Sequence, residues 1–281
     1  MRRKGYPAAA IHDFMGRVGV AKADSTVQGS LLDQCVREAL ADVAPRPMAV
    51  IDPLKVVLTN WPEDKVDVLT VENHRDHPEF GTREVKFGRE LYIEREDFME
   101  VPVKGFKRMA PGREVRLMAA YIVRCDEVVK DEAGNILALH CSVDMDSRSG
   151  SEGSNRKLKT GVLHWVSAVD SVPAEFRLYE PILEEEAQED TTPGASAESE
   201  LDEAGREVVA EDDDFMNHLN PNSLVIRRGF CESWTAAHEV GATFQFQRIG
   251  YFCKDPDSTE ALPVFNRTVP LKDSWAKESK K

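Results

Sequence analysis

The sequence predicts a mainly β protein: antiparallel β-barrels preceded by a small helical subdomain. Apolar residues recur at helical spacing only near the start of the chain. After Pro45 they come in many short runs rich in β-favouring residues. Turn formers and charged residues separate those runs, a spacing that suits antiparallel barrels better than a parallel sheet.

The first helix is marked by Ile11, Phe14, Met15 and Val18 on one face, with Ala8, Ala9 and Ala10 adding propensity. Leu31, Leu32, Cys35, Val36, Ala39 and Leu40 form the stripe of a second helix after Gly29, with Ser25 or Thr26 as its cap and Pro45 closing the segment. Val56-Val57-Leu58-Thr59 and Leu91-Tyr92-Ile93 read as strands, and residues 115–123 as a less regular one. Glu127-Val128-Val129 and Ile136-Leu137-Ala138-Leu139 flank Asp131-Glu132-Ala133-Gly134-Asn135, a hairpin turn. Gly161-Val162-Leu163-His164-Trp165-Val166 reads as one strand. Ser223-Leu224-Val225-Ile226, Thr243-Phe244-Gln245-Phe246, Tyr251-Phe252-Cys253 and Pro263-Val264-Phe265 follow. Residues 146–159, rich in Ser, Gly and charge, read as a mobile loop. Residues 184–214, acidic and poor in aromatics, read as a disordered one.

No apolar run approaches the roughly 20 residues of a membrane helix, so no membrane partner is expected. The opening Met1-Arg2-Arg3-Lys4-Gly5-Tyr6-Pro7 lacks the apolar stretch of a signal peptide. The five cysteines are scattered and form no Cys-x-x-Cys pair, which fits a reduced, cytoplasmic compartment. A net charge of −14 argues at first against a nucleic-acid partner. Its distribution reverses that inference. Residues 180–214 hold fifteen acids and one base, so the rest of the chain is close to neutral. Residues 104–159 carry eleven bases against eight acids, and residues 1–46 seven against five. Screening limits the reach of the acidic stretch to ~10 Å at moderate salt, so a basic face elsewhere keeps its local potential.

Catalytic chemistry finds little footing. The sequence has no Gly-rich phosphate loop and no Gly-x-Ser-x-Gly elbow. The nearest metal-like group is His74-Arg75-Asp76-His77, but structural zinc wants four ligands and no others flank it, so a polar connector is the expected role. His164 beside Trp165 is read as a packing or hydrogen-bonding residue. Basic residues beside strand residues are more informative. Lys107 and Arg108 precede Arg113 and Arg116, and even separation places Arg108 and Arg116 on one face if the turn at Pro111-Gly112 permits. Phe106 offers a ring for stacking. Gln245 lies between Phe244 and Phe246, so a strand there sends the amide one way and both rings the other. Guanidinium groups, an amide and aromatic planes are what reading single-stranded RNA requires. The same pattern also fits an ordinary solvated barrel face.

A family resemblance rests on these residues. Ala44-Pro45-Arg46-Pro47-Met48-Ala49-Val50-Ile51-Asp52-Pro53 resembles the segment leading into the anticodon-binding barrels of glutaminyl-tRNA synthetases. Similar blocks recur, in order, at Tyr92-Ile93-Glu94-Arg95-Glu96-Asp97-Phe98, Phe106-Lys107-Arg108 and Gly112-Arg113-Glu114-Val115-Arg116-Leu117. They return at Gly161-Val162-Leu163-His164-Trp165-Val166-Ser167-Ala168, in the stretch from Phe244 to Cys253, and at Val264-Phe265-Asn266-Arg267-Thr268-Val269.

The resemblance implies a helical subdomain at residues 1–46, a proximal barrel at 47–103 and 178–281, and a distal barrel inserted at 104–177. It implies that Arg46 and Gln245 read the central base, a uridine. Lys107 and Arg108 would lie near the third base, Arg116 would serve the first, Arg248 would sit close to the glutamine, and Lys22 would approach the tRNA body. Met118 departs from relatives that have an arginine there. The family's His-Ile-Gly-His-like and Met-Ser-Lys-type motifs are missing, so the chain is expected to be a fragment, inactive alone. ATP would belong to a catalytic part outside it, and no cofactor to this chain. The expected partners are tRNA(Gln) and that catalytic domain, with the chain itself a monomer. The alternatives are the matching region of an archaeal or eukaryotic-type glutamyl-tRNA synthetase, or a stand-alone RNA-binding or protein-interaction module.

Overall fold

The computed structural model describes residues 1–19, 27, 29–182 and 218–271 of the 281-residue chain. Lys22, the Ser25 or Thr26 cap and the acidic stretch 184–214 lie outside the described residues. No described helix is long and apolar enough to cross a membrane.

Two helices form where the spacing predicts them, α1 (Ala8–Val18) and α2 (Gly29–Ala41). Pro7 precedes α1 with its φ already near the helical value, and Gly19 ends it at a φ of 74° with its N–H returned to Met15 O. The shared core joins Ala10, Cys35, Val36 and Leu40 to Tyr251 and Val269 of the β region. Met15 is exposed. The contact stripe passes through Ala10 and Phe14, and Met15 lies about 100° further round the helix.

The strands are β1 (Ala49–Val50), β2 (Pro53–Leu58), β3 (Asp67–Glu72), β4 (Thr82–Phe87), β5 (Glu90–Glu94), β6 (Glu114–Leu117), β7 (Ile122–Lys130), β8 (Ile136–Asp144), β9 (Val162–Leu163), β10 (Val166–Ser167), β11 (Ser171–Tyr179), β12 (Leu224–Glu232), β13 (Thr243–Phe246), β14 (Gly250–Lys254) and β15 (Val264–Pro270). A one-turn helix, α3 (Ser233–Ala236), follows β12. A seven-stranded sheet has the order β10-β5-β2-β8-β7-β6-β9. A six-stranded sheet has the order β1-β12-β11-β15-β14-β13, and β3 and β4 form a separate hairpin.

One short continuous segment closes each large sheet. The edge strands β9 and β10 are joined only by His164 and Trp165, and three residue steps span at most about 11 Å. The two edges of the seven-stranded sheet must therefore curl together. In the six-stranded sheet, the carbonyls of Pro45 and Pro47 accept from the N–H groups of Gln245 (2.8 Å) and Gln247 (3.0 Å) beside β13. The same segment then pairs Ala49 and Val50 with Cys231 and Phe230 of β12. Gly229 permits that approach, since a Cβ there would lie 1.9 Å from Val50 O. The fold is therefore mainly β, with two barrels and few helices, as the short runs predict.

Several details differ from the sequence-based expectations. Residues 161–166 do not form one strand. The chain breaks at His164-Trp165 because its two halves pair with opposite sheet edges. Not every pairing is antiparallel: β2–β8, β6–β9 and β11–β15 run parallel. Long connections bring these strands together, and side-chain alternation carries no record of direction. Residues 53–58 and 90–94 share the sheet that holds 114–144, because β2 pairs with both β5 and β8. The sheets thus divide near residues 51–53 and 168–171, whereas the expected divisions lie at 103/104 and 177/178. Residues 146–159, expected to be a mobile loop, contain 3-10 turns at Met145–Ser147 and Glu152–Asn155. Buried Ser147 receives the Ile122 N–H, and Arg148 and Arg156 pair with Asp67 and with Glu114 and Asp144. The β3–β4 hairpin has no counterpart among the expected strands. Its alternation is nonetheless regular, with Leu69, Val71, Val85 and Phe87 buried and Val68, Thr70, Glu84 and Lys86 exposed.

The larger core centres on Trp61, Phe87, Tyr121 and Trp165, with Phe87 4.9 Å from Trp61 and 5.1 Å from Trp165 in edge-to-face contact. Phe176, Phe244, Phe246, Phe252 and Phe265 fill the six-stranded barrel. In β13 both phenylalanines are buried and Gln245 is half-buried on the opposite side, as the alternation predicts.

Candidate nucleic-acid interface

The first cluster grows from the segment that closes the six-stranded barrel. Ala44 and Arg46 each precede a proline, which favours extended backbone. Pro45 and Pro47 lack N–H groups and face β13 with their carbonyls, while the Arg46 N–H points the other way to Asn73 O at 2.7 Å. The Gln247 amide donates to Arg46 O at 3.1 Å. Arg46 is thus fixed beside Gln245 from both sides. Its guanidinium Nη2 lies 3.1 Å from exposed Asp76 and 3.4 Å from Ala41 O, and its Nε is buried without a partner. The Gln245 amide makes no hydrogen bond within the described residues. Together they offer spare guanidinium donors and an amide with both donor and acceptor.

The histidines of residues 74–77 serve this cluster. His74 Nε2 donates to Ala41 O at 2.8 Å, so its Nδ1 accepts the Asp76 N–H at 3.2 Å. His77 lies against Glu79 and Asp42, and these acids raise its pKa, Glu79 foremost. Among the described residues, no group of three or more His, Cys, Asp or Glu side chains is placed to hold a metal.

The second cluster lies between the barrels and is centred on Asp97, whose side chain is 0% exposed. A 3-10 turn at Arg95–Asp97 follows β5 and swings this carboxylate inward. The Met109 N–H bonds to Asp97 O at 2.9 Å, which sets Arg108 alongside. Arg108 Nε is 3.2 Å from Asp97 Oδ1, and its Nη1 is 3.0 Å from exposed Glu96. From the other barrel, Arg248 grips both oxygens of the same carboxylate, Nη1 to Oδ2 at 2.6 Å and Nη2 to Oδ1 at 2.7 Å. Burial pulls the Arg248 pKa down, but the Asp97 hydrogen bonds more than offset it, so the net direction is upward. Arg248 Nη1 also donates to His164 Nδ1 at 3.3 Å. An arginine can only donate, so the His164 proton sits on Nε2, facing Glu94 3.6 Å away. The Arg248 Nε–H and one Nη2–H remain open on a single edge.

Arg248 pays for this position in backbone conformation, with φ at 66° in the three-residue turn between β13 and β14. Such turns favour Gly or Asn at their left-handed residue. An arginine there signals that the side chain matters.

Lys107 and Arg116 stand apart. Exposed Lys107 lines a 420 Å³ pocket with Phe106, Arg113, Glu114, Leu158, Lys159 and Thr160. Phe106 is buried rather than projecting as a free stacking ring, and its carbonyl accepts from Arg113 at 2.7 Å. Arg116 donates to the carbonyls of Ser154 at 2.6 Å and Ser147 at 3.5 Å. Arg108 and Arg116, placed on one face by even spacing, therefore have different partners, because the turn at residues 111–113 interrupts the strand before β6 begins. Sequence reasoning missed Asp97 and Asn73. Nothing local marks them, since each acquires its role from a partner far along the chain.

Two matches to one family description cover most of the chain. Residues 44–144 and residues 162–255 each match an anti-codon binding domain of tRNA synthetases class I (E and Q). Among similar proteins is a glutamine–tRNA ligase of Xanthomonas axonopodis pv. citri (strain 306), 47% identical over 278 residues. That match covers 99% of this chain and 45% of the relative. Glutamine–tRNA ligases of Nitrobacter hamburgensis (46% over 277 residues) and Aliivibrio fischeri strain MJ11 (43% over 277 residues) match 99% and 98% of the chain, and 46% of their own length in each case. The chain thus spans slightly less than half the length of these relatives. The motif blocks, the two closed barrels and both family matches agree: the chain belongs to the anticodon-binding domains of class I tRNA synthetases specific for E and Q.

Proposed function

We propose that this chain is the anticodon-reading part of a glutamine–tRNA ligase, binding the anticodon loop of tRNA(Gln). The observation that carries this reading is that the segment 45–47, which runs alongside β13, places Arg46 next to Gln245, both with unused hydrogen-bonding groups. A base splayed from its loop loses stacking and base pairing, and it regains them where an arginine and an amide converge. Arg46 and Gln245 take the central base in this reading. Arg248 lies two residues beyond the Gln245 strand. Lys107 and Arg108 serve the third base, where the pocket beside Lys107 gives room for a nucleobase. Arg116 serves the first base, and Lys22 contacts the tRNA body. ATP and glutamine are taken by a catalytic part outside this chain. The names of the similar proteins favour glutamine over glutamate.

Binding should be measured with two tRNA(Gln) transcripts, one with a CUG anticodon and one altered only at its central base. The chain should prefer the first. Arg46→Ala and Gln245→Ala should each cost ~1–3 kcal/mol on the CUG transcript, a range borrowed from bidentate base contacts in DNA, and little on the other. Equal binding of both transcripts by the intact chain and both variants sinks the proposal.

A further inference from the structure

We propose that Asp97 is a positioning residue for anticodon discrimination, locking Arg108 and Arg248 in one fixed relation so that their free edges meet neighbouring nucleotides. The inference rests on the anticodon reading above and adds a residue that touches no RNA itself.

The geometry has three parts. First, one fully buried carboxylate serves two arginines that come from opposite barrels and lie 140 positions apart in sequence (Arg108 and Arg248). Arg248 spends two donors on Asp97 and a third on His164, so its Nε and one Nη2 hydrogen stay parallel on the remaining edge. That edge matches a pair of adjacent acceptors, as on a base or a phosphate. Second, Arg108 spends Nε on the same carboxylate and Nη1 on Glu96, leaving Nη2 open. Third, Arg248 is held at a φ of 66° that an arginine rarely adopts. Such conformations persist only where surrounding contacts over-determine them, and the contacts here are Asp97 and His164.

An arginine free to turn gains flexibility on one anticodon and loses selectivity among all of them. A site held to within about 0.5 Å of its working geometry discriminates, whereas a looser one merely attracts charge. Asp97 therefore acts on the difference between RNAs more than on attraction to RNA in general. Removing its negative charge even strengthens the general attraction, so a purely electrostatic role predicts the opposite sign.

The test uses the full chain and two tRNA(Gln) transcripts, CUG and a version altered only at the third base, which the reading above gives to Arg108. The readout is the ratio of their dissociation constants, together with the thermal midpoint of each variant. Asp97→Asn keeps the shape but turns one acceptor into a donor facing an arginine. It should lower the ratio at least tenfold, with weaker binding of the CUG transcript. Glu100→Gln removes the same charge from an exposed ion pair with Lys130 that touches neither arginine and should leave the ratio within twofold of the parent. If Asp97→Asn loses its cooperative melting transition, Asp97→Glu decides the matter. It retains the charge but shifts it by one methylene, and it should also compress the ratio. An unchanged ratio in a folded Asp97 variant overturns the proposal, as does an equal fall in Glu100→Gln. Failure of the parent chain itself to distinguish the two transcripts defeats the underlying function instead, and that result is visible before any variant is made.

Discussion

Arg248 holds a left-handed backbone that costs an ordinary L-residue about 1 kcal/mol, while its guanidinium clasps a carboxylate shut away from water. The balance between these effects is measurable. Arg248→Gly relieves the backbone but leaves Asp97 with Arg108 alone, and a buried charge stripped of its partner costs about 3–5 kcal/mol. Net destabilisation of about 2 kcal/mol is expected in urea unfolding, because Arg248 is itself partly exposed. Asp97→Asn in the Arg248→Gly background should recover part of that loss, since no unpaired charge remains. A double variant as unstable as the sum of the two single ones would show that Arg248 and Asp97 do not act as a pair. The same residues show what was legible at this scale. Arg108 stands out in sequence within a basic run and Gln245 as an amide between aromatics, while Arg46 enters through the family resemblance. Asp97 is one of 50 acids, and only the distant contacts of Arg108 and Arg248 distinguish it.

The β3–β4 hairpin is the element that binds the two barrels and the Arg46 cluster together. Arg83 of β4 is 1% exposed and forms a 2.5 Å ion pair with Glu232 at the end of β12. Arg83 also donates to Glu72 O and Asn73 Oδ1 and lies over the Trp234 ring at 5.4 Å. Glu232 in turn accepts the Met48 N–H at 2.8 Å. Asn73 O then receives the Arg46 N–H, so the clamp and the reading arginine share a backbone neighbour. Arg83→Met should cost about 3–5 kcal/mol, because Glu232 is left buried and unpaired. Arg83→Met with Glu232→Gln should lose less. Thermal unfolding of both variants checks this, and an Arg83→Met loss under 1 kcal/mol would mean that water reaches Glu232. Strand positions elsewhere were largely readable because one buried face imposes a period of two. Their partners were not. Which strand lies beside which depends on closures at residues 45–50 and 161–167; the first carries no strand signal because of its two prolines, and the second reads as one uninterrupted strand.

At the scale of the whole molecule, the N-terminal turn is fastened to the six-stranded barrel by one carboxylate. Asp255 is 0% exposed and takes Arg3 Nη2 at 2.6 Å and Arg177 Nη1 at 3.4 Å, together with the Asn266 amide. Asn266 also donates to Arg3 O at 2.8 Å, and Thr268 to Lys4 O. Gly5 completes the contact, because a Cβ there would meet Cys253 Cβ at 2.5 Å and its φ of 76° suits glycine alone. Burial pushes the Asp255 pKa up, but Arg3, the Asp257 N–H and Asn266 outweigh it and hold the carboxyl at about 2. An unfolded aspartate titrates near 3.9. The folded pKa is therefore depressed, so the stability it contributes is full above about pH 4 and fades as the pH falls toward about 2. Nearly two pKa units correspond to over 2 kcal/mol, but Arg3 and Asp257 are 57% and 52% exposed. Solvent screening reduces the expected contribution to about 1–2 kcal/mol. Other carboxylates titrate over the same range, so the comparison must be with Asp255→Asn. The stability gap between parent and variant in urea should be about 1–2 kcal/mol at pH 6 and should shrink to about a third of that at pH 2.5. A gap that stays constant between those values would mean that the ionised carboxylate is not what fastens the turn, leaving the Asn266 and Thr268 hydrogen bonds to hold it.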